Sequence, residues 1–227
     1  MKKSCIQLGI LLVVTFGFVP LVVENFIYEA LIGQGFSDLI AGNIVGLLIA
    51  VTLLSAGYAT LKPGQNRFWR QAGVRSFDRA HLPFLLKLSL LSFVASVLAF
   101  LVSVWLGADL ENEKSEAVRQ SFEFFPLLIA FVGAVIISPL YEEIYYRGMV
   151  LSLLKRIFPL RWALFLQALI FALAHLPNWN LLLLSVINGY LFAYAYQKTD
   201  SAFAAAFVHG MVNLLIFLIS ILLIQSA

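Results

Sequence analysis

Residues 141–147 read YEEIYYR and place two glutamates and an arginine inside a long apolar run. The stretch before them, IAFVGAVIISPL, and the stretch after them, GMVLSLL, are apolar enough to lie in lipid. An ionisable group at the centre of a bilayer costs about 2.5–3.5 kcal/mol even on the mildest insertion scales, and it usually faces a bundle interior or a wet cavity. This stretch therefore predicts a membrane helix that carries part of a polar site.

The composition of the whole chain also indicates a membrane protein. Of its 227 residues, 62% are hydrophobic and 12% are charged, and the mean hydropathy is +0.94. Soluble domains are about 45–50% apolar and about 25% charged. We expect an all-α, polytopic helix bundle in the cell membrane, with lipid around it. No basic run interleaved with aromatic residues suggests a nucleic-acid partner, and a single cysteine, Cys5, excludes an intrachain disulfide.

Seven apolar segments are long enough, or nearly so, for the roughly 20 residues that cross a bilayer. They are residues 5–24, 38–61, 83–107, 125–157, 161–177, 180–197 and 201–225. The first begins like a signal peptide but has no small-residue cleavage site, so we expect a retained membrane helix. With the N-terminus in the cytoplasm, every basic residue except Lys114 and Arg119 falls on the inner side, as the positive-inside rule requires. Seven spans then place the C-terminus outside.

The chain shows no internal repeat and no low-complexity linker, so we expect a single domain. We divide it into N-terminal membrane helices at 1–121, a catalytic core in the last four helices at 122–217, and the end of the last helix at 218–227. The basic loop at 62–82 is either an interfacial amphipathic stretch or a plain cytoplasmic loop. The loop at 108–124 is mainly acidic.

Polar residues on three of the later segments are predicted to lie at similar depth. Glu142 precedes the turn at Pro159 by 17 residues, and His175 follows it by 16. At about 1.5 Å of rise per residue, both lie roughly 25 Å from that turn on antiparallel helices. His209 and Asn213, which share one helix face, lie roughly 14–20 Å into the last segment. We therefore expect these four side chains to meet in one site.

The two adjacent glutamates are predicted to have different roles. Glu143 and Arg147 have the i,i+4 spacing that favours an ion pair, which leaves Glu142 for another task. Neighbouring helical residues point about 100° apart, so the two carboxylates need not share a function. Pro139 removes a backbone hydrogen bond and can kink the helix, which would open space beside Glu142.

These residue types suit the hydrolysis of a peptide bond by water. Glu142 would act as general base, one histidine would orient the water, and the other histidine with Asn213 would stabilise the oxyanion. Glu142, His175 and His209 could instead hold a divalent metal such as zinc, with an open position for water. No HExxH sequence is present, which excludes a zincin-type helix.

Three short motifs resemble those of a known family. EEIYYRG at 142–148 fits EExxxR, FALAH at 171–175 fits FxxxH, and HGMVN at 209–213 fits HxxxN. In this order on late membrane helices, they resemble the CPBP intramembrane proteases, which include the type II CAAX prenyl endopeptidases and the Abi bacteriocin-processing or immunity proteins. The resemblance covers about residues 122–217 and implies an intramembrane protease that cleaves a membrane-associated substrate, of prenylated CAAX type or of bacteriocin or pheromone type.

The resemblance also implies a role for each motif residue. Glu142 would activate water together with His175, and His209 and Asn213 would bind the oxyanion. The roles of Glu143 and Arg147 would be structural or substrate-orienting. The resemblance leaves metal dependence open.

Two other functions are compatible with the sequence. One is a non-catalytic immunity or scaffold protein that keeps the fold. The other is a transporter with a Glu/His relay, although such proteins more often show two related halves with broken helices. For single residues, His175 could end its helix before Pro177, and Gln167 and Asn188 are expected to hydrogen-bond between helices.

Overall fold

The computed structural model describes residues 1–61, 68–107 and 124–226, and within these ranges the chain is helical with no strand. Seven long helical segments occur there. They are α1 (Lys2–Gly33), α2 (Asp38–Leu61), α3 (Leu82–Trp105), α4 (124–154), α5 (Leu160–Leu173), α6 (Leu182–Thr199) and α7 (Ala202–Ser226). The predicted all-α class is confirmed. The predicted loop residues 62–67 and 108–123 lie outside the described residues.

Five of these helices are long and apolar enough to cross a membrane: α1, α2, α3, α4 and α7. Helix α5 is apolar but has only 14 residues, or about 21 Å, which is shorter than the roughly 30 Å of hydrocarbon in a bilayer. Helix α6 has 18 residues, several of them polar. The chain is therefore a multi-pass membrane protein, while seven complete spans stay a prediction.

Two of the predicted helix boundaries were wrong. The first helix was expected at 5–24, but it continues to Gly33, because residues 25–33 contain no proline and keep supplying apolar side chains. A turn then forms at Gly35, whose φ of +87° suits glycine. The fifth helix was expected to reach residue 177 but ends at Leu173, because Pro177 disfavours helical backbone before it.

Helix α4 departs from regular α-helical hydrogen bonding on both sides of the glutamate pair. Residues Gly133–Ile137 and Ile144–Leu151 have the wider π-helical pattern, and Ser138–Glu143 between them is α-helical. Such π segments occur frequently at functional sites and change the direction in which later side chains point. Residues 145–151 are all buried, so this half of α4 forms the centre of the bundle.

The described part of the predicted basic loop, residues 68–81, packs onto the bundle, and we call it the docking segment. It begins with a short helix, Phe68–Gln71, in which Phe68 is buried. Ala72 packs directly on Gly148 of α4, where an added Cβ would lie 2.1 Å from the Ala72 carbonyl oxygen. A glycine is needed at this position because the two backbones approach so closely.

The docking segment is also fastened to the turn between α6 and α7. The Ala202 backbone N–H donates to the Gly73 carbonyl oxygen at 2.8 Å, and the Ser201 hydroxyl donates to the Arg75 carbonyl oxygen. The Arg75 guanidinium forms an ion pair with Asp200, which has left-handed backbone with φ of 52°. These contacts hold the first residues of α7 against the N-terminal half of the chain.

Candidate active site

A buried charge network lies at the centre of the bundle and includes Glu143 and Arg147, whose side chains are fully buried. The Glu143 Oε2 atom lies 2.8 Å from Arg147 Nε, as the i,i+4 spacing predicted. The Arg147 Nη2 group also donates to the Gly189 carbonyl oxygen of α6 at 3.2 Å. The other Glu143 oxygen, Oε1, lies 2.9 Å from His209 Nδ1 on α7. Glu143 therefore links α4 to α7, a role that the sequence reasoning did not foresee.

Aromatic rings enclose the Arg147 guanidinium. Its central carbon lies 4.3 Å from the Phe171 ring centroid and 5.5 Å from that of Phe192. Cations over aromatic faces are attracted by the ring quadrupole, and the attraction increases when water is excluded. The rings and the Glu143 carboxylate together compensate for the loss of hydration of this buried charge.

The contacts of His209 determine which of its nitrogen atoms is available for chemistry. Because an ionised carboxylate only accepts hydrogen bonds, Nδ1 must carry the hydrogen that it donates to Glu143. Nε2 is then an acceptor in the neutral ring and a donor in the imidazolium. The ring also stacks on Phe192, with centroids 4.5 Å apart and planes at 20°, which fixes its orientation.

His175 is oriented in a similar way from a different element. It lies in the turn just after α5, and its Nδ1 atom is 2.8 Å from the Phe171 carbonyl oxygen. A carbonyl oxygen only accepts, so Nδ1 carries the hydrogen and the neutral ring presents a lone pair at Nε2. A histidine with this arrangement can accept a hydrogen bond or a proton from water.

Phe171 brings the two histidines together. Its ring centroid lies 4.8 Å from that of His175, 6.0 Å from that of His209 and 5.2 Å from that of Tyr146, and it also underlies Arg147. No role in the site was predicted for Phe171 from the sequence. The signal that could have identified Phe171 was its place as the first residue of the FALAH motif.

The other predicted site residues, Glu142 and Asn213, are half-buried. The Ser138 hydroxyl, one turn earlier on α4, donates to Glu142 Oε1. The Asn213 amide donates to the Ala134 carbonyl oxygen at 2.8 Å, within the first π segment of α4. One N–H of that amide group is thereby used, and the second is available to another acceptor. Ser138 is a second residue whose contact the sequence did not predict.

Gln167 and Asn188 were both predicted to hydrogen-bond between helices, and their contacts in the structure differ. Asn188 on α6 donates to Ser96 on α3 at 2.7 Å, which confirms the expected bond. Gln167 is fully buried, but neither its oxygen nor its nitrogen has a hydrogen-bond partner in the described part of the chain.

Metal binding by Glu142, His175 and His209 stays a prediction. Within residues 1–61, 68–107 and 124–226, no three His, Cys, Asp or Glu side chains are grouped so that they could hold a metal ion. Glu142, His175 and His209 therefore do not form a preassembled ligand set, and Glu143 occupies His209 Nδ1. We derive no chemical step through a metal.

Comparisons with known proteins found similar sequences for part of the chain. Residues 124–215 match the family model described as type II CAAX prenyl endopeptidase Rce1-like. A protein of Bacillus subtilis (strain 168), named "Putative membrane peptidase YdiL", is 28% identical over 107 residues, which cover 47% of this chain and 43% of the relative. The chain thus matches less than half of that relative's length. No solved structure matches.

The matched region contains all three motifs from which the resemblance was drawn. The resemblance is therefore confirmed over residues 124–215. Over residues 124–215, the chain is thus similar to the Rce1-like type II CAAX prenyl endopeptidases, and part of it is similar to a protein named as a putative membrane peptidase.

Proposed function

We propose that this protein is an intramembrane endopeptidase that hydrolyses peptide bonds of a membrane-associated substrate with water activated by Glu142 and His175. The observation that carries the proposal is the orientation of the two histidines. Both rings have Nδ1 bound to a fixed acceptor, the Phe171 carbonyl for His175 and the Glu143 carboxylate for His209. Each ring is thereby oriented with Nε2 on the side opposite Nδ1, and we assign that nitrogen to the contact with water or substrate.

In the proposed reaction, Glu142 is the general base. Its carboxylate removes a proton from a water molecule while the water oxygen attacks the carbonyl carbon of the scissile bond. The Ser138 hydroxyl donates to Oε1, and we assign Oε2 to the water. His175 accepts a hydrogen bond from the same water through Nε2. The proton on Glu142 then passes to the leaving nitrogen, and the C–N bond breaks.

His209 and Asn213 stabilise the negative charge that develops on the substrate oxygen. Asn213 contributes the amide N–H that is not bound to Ala134. His209 donates Nδ1–H to Glu143 and contributes Nε2–H, which the ring carries in its imidazolium form. Loss of a single oxyanion donor typically costs about 10²–10³-fold in kcat.

The proposed substrate is a membrane-associated peptide or protein. The matched family model supports a prenylated, CAAX-type substrate, and a bacteriocin- or pheromone-type peptide is the second substrate class that we propose to test. We also propose that the N-terminus faces the cytoplasm, since this orientation places every basic residue except Lys114 and Arg119 on the inner side. The same residues would then place the turn between α4 and α5 on the cytoplasmic side.

The proposal is tested with purified protein and fluorogenic reporters that carry a prenylated or a transmembrane segment. We expect Glu142→Gln and His175→Ala to lower kcat by about 10²–10⁴-fold, the usual contribution of a general base. Glu29→Gln and His81→Ala are matched controls, because Glu29 is an exposed membrane glutamate and His81 lies in the docking segment.

Two results would contradict the proposal. If Glu142→Gln and His175→Ala cleave as fast as the wild type, these residues do not form the site. If the folded wild type cleaves neither reporter class, the protein is a non-catalytic member of its fold. Activity that persists after strong chelation would exclude the zinc version of the hypothesis.

A further inference from the structure

A second site, separate from the charge network, lies where the docking segment meets the ends of α2 and α4. The structure has a cavity of about 210 Å³ there. Its walls are formed by Leu61, Phe68, Gln71, Gly148, Ser152, Leu153 and Arg156. Three of these side chains are apolar, two are neutral and polar, and one is cationic, so the cavity combines an apolar wall with a positive rim.

The positive charge of Arg156 is not used within the described protein. Arg156 is exposed and forms no ion pair or hydrogen bond with a residue in the described ranges. The neighbouring cations differ in this respect, since Arg75 is paired with Asp200 and Lys155 donates to Gln197 at 3.0 Å. An unpaired guanidinium beside a cavity is well suited to a planar or tetrahedral oxyanion, which it can bind through two N–H groups.

The position of the cavity indicates what kind of anion it would take. It lies at the ends of α2 and α4, which are long and apolar enough to cross a membrane, so we place it near the layer of lipid headgroups. Its apolar wall is formed by Leu61, Phe68 and Leu153. Basic pockets between membrane helices bind the phosphate groups of anionic lipids, while acyl chains follow the apolar surface. A free phosphate ion would contact only the cationic rim of the cavity and not its apolar wall.

We propose that this cavity binds the headgroup phosphate of an anionic phospholipid. Arg156 contacts the phosphate, Gln71 donates a hydrogen bond to it, and Leu61 and Leu153 contact the first carbons of an acyl chain. The lipid fills the gap between the docking segment and α4, so it stabilises the contact of Ala72 with Gly148. This proposal does not depend on the proposed catalytic residues.

Native mass spectrometry tests the proposal with protein in detergent that contains equal amounts of phosphatidylglycerol and phosphatidylcholine. We expect wild type to retain phosphatidylglycerol preferentially and Arg156→Gln to reduce that retention about fivefold, the effect of about 1 kcal/mol for one basic residue near an anionic surface. Gln71→Glu should also reduce it, by placing a carboxylate in the cavity. Arg161→Gln is the matched control, because Arg161 is an exposed arginine that does not line the cavity.

The outcomes distinguish specific binding in this cavity from nonspecific electrostatic attraction between the protein and an anionic lipid. Equal losses in Arg156→Gln and Arg161→Gln would overturn the proposal, since the anionic lipid would then respond to overall charge. Competition by inorganic phosphate that removes phosphatidylglycerol completely would also overturn it and indicate a site for a free anion. Thermal unfolding in phosphatidylcholine alone should be the same for all variants, which excludes misfolding as the cause of lost retention.

Discussion

Arg147→Met should destabilise the protein far more than its modest change in volume suggests. The Arg147 and Glu143 side chains are both fully buried, and their charged atoms lie 2.8 Å apart. Removing one partner of a buried pair leaves the other charge without compensation and costs about 3–5 kcal/mol. At about 2–4 °C per kcal/mol for a chain of this size, the unfolding midpoint should fall by roughly 6–20 °C. The midpoint is measured by tryptophan fluorescence in detergent.

A double variant tests the reasoning. Glu143→Gln combined with Arg147→Met leaves no buried charge from this pair, so it should recover more than half of the stability lost by Arg147→Met alone. Arg161→Met, at an exposed position, is the control and should melt like the wild type. The reasoning is refuted if Arg147→Met melts like the control, or if the double variant is less stable than both single variants.

Two further substitutions test the close contacts of α4. Gly148→Ala should lower the unfolding midpoint and shift the docking segment, because the added Cβ would lie 2.1 Å from the Ala72 carbonyl oxygen. Gly42→Ala is the control and should not lower the midpoint, because an added Cβ there has no atom within 4 Å. Equal midpoints for the two variants would contradict the close packing of Gly148 on Ala72. Ser138→Ala should reduce kcat about tenfold with little change in KM, since the proposed general base, Glu142, loses a charge-assisted hydrogen bond of about 1.5–3 kcal/mol. Ser138→Thr should restore kcat, and Ser89→Ala, which removes only a bond to its own helix, should leave kcat unchanged.

The sequence predicted the helical segments well because apolar length is a local property. All seven expected segments correspond to helices, with errors at their ends. The first helix was placed too short because Asn25 and Glu29 resemble loop residues, although a long helix can present them to the headgroup layer. The fifth was placed too long because the influence of Pro177 on the residues before it was underestimated.

The candidate site was predicted in part. The i,i+4 pair of Glu143 and Arg147 follows from helix geometry alone and is present. The contact between Glu143 and His209 joins residues 66 positions apart, so it depends on how α4 and α7 pack. The π segments beside the glutamates change side-chain directions, and a regular 100° helical wheel cannot anticipate them. The roles of Phe171 and Ser138 likewise became visible only from tertiary contacts.

The fastening of the docking segment to the start of α7 has a consequence for the motif-bearing region as a whole. The bonds of Gly73 and Arg75 to residues 200–202 fix the height of α7 along the bundle axis, and His209 lies only two turns further on. Residues far outside the motifs thus set the register at which His209 meets Glu143. The region 124–215 is accordingly not an excisable module, and a fragment without the first three helices should lose the alignment of its histidines even if its own helices form.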